Sequence, residues 1–183
     1  MQYVDTNEPA GIPENDLNRF KRAQHGVIDR ACDELRNGCK MSHWMWFVFP
    51  QLRGLGMSET AWYYGVDGIE EAVAYLNDKE LCDNLLNACT SLVSNVNNDD
   101  MQIDPLPIFG YIDTIKLKSS MTLFEAALAK MREYGDDIND VNAKHQKHDG
   151  GIFGYILDMF FGGERDELTL NMLNSQAPNE PTS

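Results

Sequence analysis

From Leu17 to Leu173 the apolar residues recur every three or four positions, and no stretch of useful length alternates apolar with polar. A period near 3.6 gives a helix one apolar face, whereas a half-buried strand needs a period of two. The fold class is therefore all-α. Leu17, Phe20, Gln24, Val27, Ile28, Ala31 and Leu35 predict a first helix, with Asp16 placed to cap its start and Gly38 its end. Ser58 to Tyr64 reads as a short capped helix stopped by Gly65. Gly68–Asn77 and Lys79 to about Val96 give two more, and Asn97 to Pro107 a polar loop. Ile108–Lys118 forms the next helix, and Ser120 caps another through Tyr134. Gly154–Phe161 is apolar up to Gly162-Gly163, and Asp166 opens a last helix. The expected architecture is a compact single-domain bundle of about seven to nine short helices over residues 16–174. Residues 1–15, with Pro9, Gly11 and Pro13, and residues 175–183 read as tails.

Charge limits what such a bundle can bind. The 183 residues carry 29 acidic and 15 basic side chains, a formal charge of −14. Polymeric nucleic acid is held largely by Lys and Arg on phosphates, so it is excluded as a general partner. One small anion can still bind where a few basic residues converge in a cleft. No apolar run is long enough for a membrane span, and the N-terminus lacks the basic and apolar regions of a signal peptide, so no membrane partner and a cytoplasmic location are expected. Cys32, Cys39, Cys82 and Cys89 fall in pairs seven residues apart, which is not a zinc spacing. Free thiols are expected, with Cys82 and Cys89 on one buried helix face. The sequence implies no metal and no cofactor.

Two segments combine aromatic and polar groups in a way that suits a ligand. Residues 42–51, Ser-His-Trp-Met-Trp-Phe-Val-Phe-Pro-Gln, lead into a turn holding Arg53, Gly54 and Gly56. On a helix, His43, Trp46 and Phe47 share one face, and Trp44 and Val48 another. An indole can stack a base, His43 and Gln51 can read a polar edge, and Arg53 beside glycines can approach a phosphate. The alternative is a buried helix whose indole N–H groups find backbone partners. In the second segment, Gly110 to Phe124, Asp113 and Lys116 lie side by side on a helix. Ser119 and Ser120 sit at an expected helix start, where free N–H groups favour an anion. Lys116 or Lys118 with Ser119, Ser120 and Thr122 would form a phosphate cradle. An Asp–Lys surface pair followed by an ordinary serine cap explains the same residues. His145, His148 and Asp149 lack a third ligand fixed by spacing, and His25 reads as a partly buried structural histidine. GxSxG, HExxH, Walker-A and strand-linked GxGxxG motifs are absent.

A wider set of residues carries a family resemblance. Arg19-Phe20, Gln24, Glu34-Leu35, Gly38 and Lys40 precede Ser42-His-Trp-Met-Trp-Phe47 and Phe49-Pro-Gln-Leu52. Gly54-Leu-Gly56, Ser58, Ala61, Tyr64, Glu71-Ala72 and Ala74-Tyr75-Leu76 follow, then Asp113, Lys116-Leu117, Ser119-Ser-Met-Thr-Leu-Phe124, Gly162-Gly163 and Asp166. Over residues 17–172 the chain resembles an uncharacterised, mostly helical domain-of-unknown-function family, often labelled "calpastatin" in genomes. The resemblance implies a compact helical domain and no established activity. It also implies that both polar-aromatic segments belong to one shared pattern. Asn77-Asp78-Lys79 stands where members commonly have His-Pro, and the 97–107 and 135–151 segments are extended.

The expected function is binding, by sensing or sequestration, of a small anionic nucleotide-like ligand such as ADP-ribose or a cyclic nucleotide. Its expected ligand-binding residues are His43, Trp44, Trp46, Gln51, Arg53, Lys116, Ser119 and Ser120. One alternative is a hydrolase cleaving a glycosidic or phosphoester bond of such a molecule, with His43 or Asp113 as acid or base. Another is a protein-interaction module anchored by exposed Trp44, Trp46 and Trp62. The oligomeric state stays open.

Overall fold

A single glycine divides the first helix. The apolar period runs unbroken to Leu35, but Gly26 adopts φ 71° and separates α1 (Asn18–Gln24) from α2 (Ile28–Arg36). A positive φ leaves the right-handed helical path, and glycine does so without a Cβ penalty. Asp16 still serves the start, where its carboxylate accepts the Asn18 N–H at 2.9 Å. The chain continues as α3 (Met45–Val48), α4 (Glu59–Tyr63), α5 (Gly68–Asn77), α6 (Lys79–Val93), α7 (Leu106–Tyr134), α8 (Gly151–Phe161) and α9 (Glu167–Gln176). The computed structural model describes residues 16–94, 102–135 and 149–176. Among these, extended pairing is limited to one bridge between Leu52 and Val66. The fold is all-α, as the period predicts.

Side chains cap three helix starts, at Ser58 and Asp166 as the sequence suggests and also at Asp78. Ser58 Oγ accepts the Ala61 N–H at 3.1 Å, Asp78 accepts the Leu81 N–H at 3.2 Å, and Asp166 accepts the Thr169 N–H at 2.9 Å. Capping fails at Ser120. The two helices expected over 108–134 are one element, α7, whose only non-helical residue is Gly110 (φ 70°, ψ 171°) near its start. Ser119 and Ser120 therefore lie in a helix interior, 3% and 0% exposed, and Thr122 Oγ1 donates to the Lys118 carbonyl at 2.8 Å. No cap is needed there, because in a helix interior the backbone N–H groups already bond to the carbonyls four residues back.

α7 is the central support. α5 and α8 pack against it, and α2 pairs with α6. An aromatic line crosses the core from α1 to α8: Phe20 to Tyr75 at 5.2 Å, Tyr75 to Phe124 at 5.1 Å, and Phe124 to Phe153 at 5.7 Å between ring centroids. Each such buried ring contributes about 1.5–3 kcal/mol by area, with a smaller gain from edge-on geometry. Tyr75 is fully buried, and its hydroxyl accepts from Gln24 Nε2 at 2.9 Å.

All four cysteines are free. Cys32, Cys82 and Cys89 are buried and Cys39 is exposed. Burial pushes the Cys32 and Cys89 thiols upward, away from the nucleophilic thiolate. His25 is exposed rather than partly buried. Among the described residues no His, Cys, Asp and Glu cluster could hold a metal, and no helix is long and apolar enough to cross a membrane. The His145–His148 pair and much of the 97–107 loop lie outside the described residues.

Candidate functional site

Glu34, on the last turn of α2, shapes the start of the aromatic segment. One carboxylate oxygen accepts the Met41 N–H at 2.8 Å, the Ser42 N–H at 3.0 Å and the Trp44 indole N–H at 2.8 Å. The other accepts the Ser42 hydroxyl at 2.5 Å. Burial alone would raise the Glu34 pKa, but these bonds override it and hold the carboxyl at about 2. Trp44 is thereby drawn inward and is 0% exposed, with its ring edge-on to Phe49 at 6.1 Å. A fully packed indole has no face to offer, so the structure removes Trp44 as a base-stacking residue. His43, between the two residues fastened to Glu34, is exposed.

The first turn of α3 and the front of α7 meet at a charge cluster. Asp113 receives Lys40 Nζ at 2.7 Å and Lys116 Nζ at 3.0 Å, and all three side chains are less than one-fifth exposed. Burial again works against the Asp113 carboxylate, and the hydrogen bonds from Lys40 and Lys116 outweigh it, leaving its pKa below the usual value. Each ammonium also lies over an indole. Lys40 is 5.1 Å from the Trp44 ring centre and Lys116 is 4.3 Å from that of Trp46. Trp46 is partly exposed. The Lys40 N–H donates to the Ile108 carbonyl at 2.9 Å, tying the turn to the front of α7. Two cations on one anion leave a surplus positive charge beside partly exposed Trp46.

Arg53 belongs to a different cluster. Its N–H donates to the Val66 carbonyl at 2.9 Å, and the Val66 N–H returns to the Gln51 carbonyl at 2.9 Å. Its guanidinium lies 3.4 Å from Asp67 and 5.8 Å from the centre of the Trp62 ring. Among the described residues Arg53 is paired with Asp67 and Lys116 with Asp113, so the two cations have different counter-ions. Ser119 and Ser120, inside α7, offer no free helix-start N–H to either. Gly65 is required for the Arg53 placement. A Cβ there would lie 2.6 Å from Arg53 Cα, so Gly65→Ala is expected to cost about 1–3 kcal/mol, read as a lower urea midpoint at unchanged slope.

Sequence reasoning gave no role to the most buried ion pair. Arg19 donates from Nη1 and Nη2 to both oxygens of Glu71, at 2.7 and 2.9 Å, with side-chain exposures of 1% and 3%. Both residues stand among those that carry the family resemblance, and the signal was a charge set inside an apolar helix face. Two clefts of about 360 Å³ each also occur. One runs between α2 and α6 along Cys32, Asn84 and Ser91, and the other beside α7 along Tyr111, Thr114 and Phe160. Neither is lined by His43, Trp46, Arg53 or Lys116.

A family model described as "Protein of unknown function (DUF1810)" matches residues 14–147. The chain belongs to this family. Both charge clusters, from Arg19 to Lys116, lie inside the DUF1810 match. A crystal structure of the conserved hypothetical protein Rv1873 from Mycobacterium tuberculosis has the same fold, with TM-score 0.69 and 37% identity over 87% of this chain and 96% of that one. None of the curated proteins compared with this DUF1810 chain matches it.

Proposed function

We propose that this DUF1810 protein binds a small anionic nucleotide-type metabolite, such as ADP-ribose or a cyclic nucleotide, and senses or sequesters it. The observation that carries this reading is the Lys40–Asp113–Lys116 cluster against Trp46. Its surplus positive charge is unusual in a chain of −14, and partly exposed Trp46 adjoins it. Phosphate oxygens would accept from Lys116 and Lys40, a base would rest on Trp46, and exposed His43 would contact a polar edge. Trp44, Ser119 and Ser120 act as scaffold. Such metabolites are cytoplasmic, so the reading places the protein there without a membrane or polymeric nucleic-acid partner. In the hydrolase alternative Asp113, held ionised by Lys40 and Lys116, could serve only as the base and not as the acid.

Calorimetry with ADP-ribose, a cyclic nucleotide and an unphosphorylated nucleoside tests this. Saturable binding of a phosphorylated ligand is expected, weakened by salt and about tenfold weaker in Lys116→Ala. Asp113→Asn removes the competing carboxylate, so it is expected to tighten binding several-fold rather than abolish it. No saturable binding below millimolar concentration would sink the proposal.

A further inference from the structure

We infer that Arg53 forms a second binding site, for a single small oxyanion such as a phosphate or carboxylate group, covered by Trp62. The Arg53 side chain is only 9% exposed, yet its Nε and Nη2 atoms are buried with no hydrogen-bond partner. Only Nη1 meets a counter-ion, at the long distance of 3.4 Å, and that carboxylate belongs to half-exposed Asp67. Buried polar groups are ordinarily hydrogen-bonded, so two vacant donors on one cation are exceptional. Nε and Nη2 also form one edge of the guanidinium, the edge that grips two oxygens of one anion in parallel.

Arg19 provides an internal comparison. It is as deeply buried, but its Nη atoms are spent on Glu71 and on the Gly65 and Asp16 carbonyls. Only its Nε lacks a partner, and one donor cannot take a bidentate anion. Arg53 has the donors for a carboxylate like that of Glu71, and among the described residues nothing accepts from its Nε and Nη2.

The position is built rather than loose. The Leu52–Val66 bridge and the Arg53 N–H bond to Val66 fix the backbone, and bare Gly65 allows the close approach. Trp62 is the movable part. Its ring lies over the guanidinium while 48% of the residue is exposed, and it stands on the five-residue helix α4. Turning that ring aside opens the vacant edge, and returning it covers the bound anion with an aromatic face. The site does not depend on the Lys116 reading.

Nuclear magnetic resonance of the full 15N-labelled chain tests it, with inorganic phosphate and acetate as probes against sodium chloride at matched ionic strength. The Arg53 Nε–H is identified by its loss in Arg53→Lys, or by through-space contact with the Trp62 ring if that variant fails to fold. A saturable shift of this resonance with either probe is expected, with the Trp62 indole N–H moving in step and the Arg19 Nε–H still. Phosphate alone, acetate alone or both would assign the ligand class. The same shift is expected in Lys116→Ala, which separates this site from the first. A shift linear in both probes and equal to that in chloride would mean an adventitious ion only and overturn the inference.

Discussion

Glu71→Gln is expected to destabilise the protein by about 3–5 kcal/mol, seen as a large fall in the urea midpoint at unchanged slope. The substitution keeps the shape of the side chain and removes its charge, leaving Arg19 as an uncompensated cation that is 1% exposed. More than one pair is lost. Glu71 also accepts the Asp67 N–H at 2.6 Å, and Arg19 donates to the Gly65 carbonyl at 3.0 Å while lying over the Phe20 ring at 4.3 Å. The pair thus joins α1, α5 and the turn that carries Val66. Removing both charges should behave differently, because neither ion then has to be stripped of water. Arg19→Met combined with Glu71→Leu is expected to recover most of the loss. A cost for Glu71→Gln below about 1 kcal/mol would be that of a surface pair and would contradict the burial described.

Glu34→Ala is the second large effect, at about 3 kcal/mol. It leaves two backbone N–H groups, one hydroxyl and the indole N–H of Trp44 without their acceptor, and Trp44 is fully buried. Near-ultraviolet dichroism should show loosening around Trp44 before global unfolding. The same carboxylate predicts an acid response. Its folded pKa, about 2, is depressed below the ordinary 4.5, so its stabilising contribution is present above pH 4.5 and is lost as pH falls from there towards about 2. Glu34→Gln should flatten the stability profile across that window relative to the parent. Equal slopes for the two proteins would show that Glu34 is not held down by its bonds.

Helices were the legible part of this chain, because a period of 3–4 records which side of an element faces the core. Their joints were less legible. Gly26 and Ser120 are both residues that can end or start a helix, but Gly26 ends one and Ser120 does not. In α7 the apolar contacts of Leu117, Met121, Phe124 and Leu128 continue straight past the serines, and packing overrides a local capping preference. The tryptophans show a similar limit. Face assignment assumed a helix already running at residue 43, whereas α3 begins at Met45 and Glu34 sets the direction of Trp44. The family resemblance implies one shared pattern for the two polar-aromatic segments, and the structure brings Lys116 and Trp46 together. Arg53 and Lys116 were joined on charge alone, and they have separate partners. The Arg19–Glu71 pair bridges 52 positions, a separation across which helical periodicity carries no information.

Indole resonances give the most direct test of binding at Trp46 and Lys116. The 15N-labelled protein is titrated with ADP-ribose at low salt while the N–H signals of Trp44 and Trp46 are followed. The predicted result is saturable movement of Trp46, a still Trp44, and a weaker response in Lys116→Ala. An unmoved Trp46 at saturating ligand, or identical movement in Lys116→Ala, would contradict it.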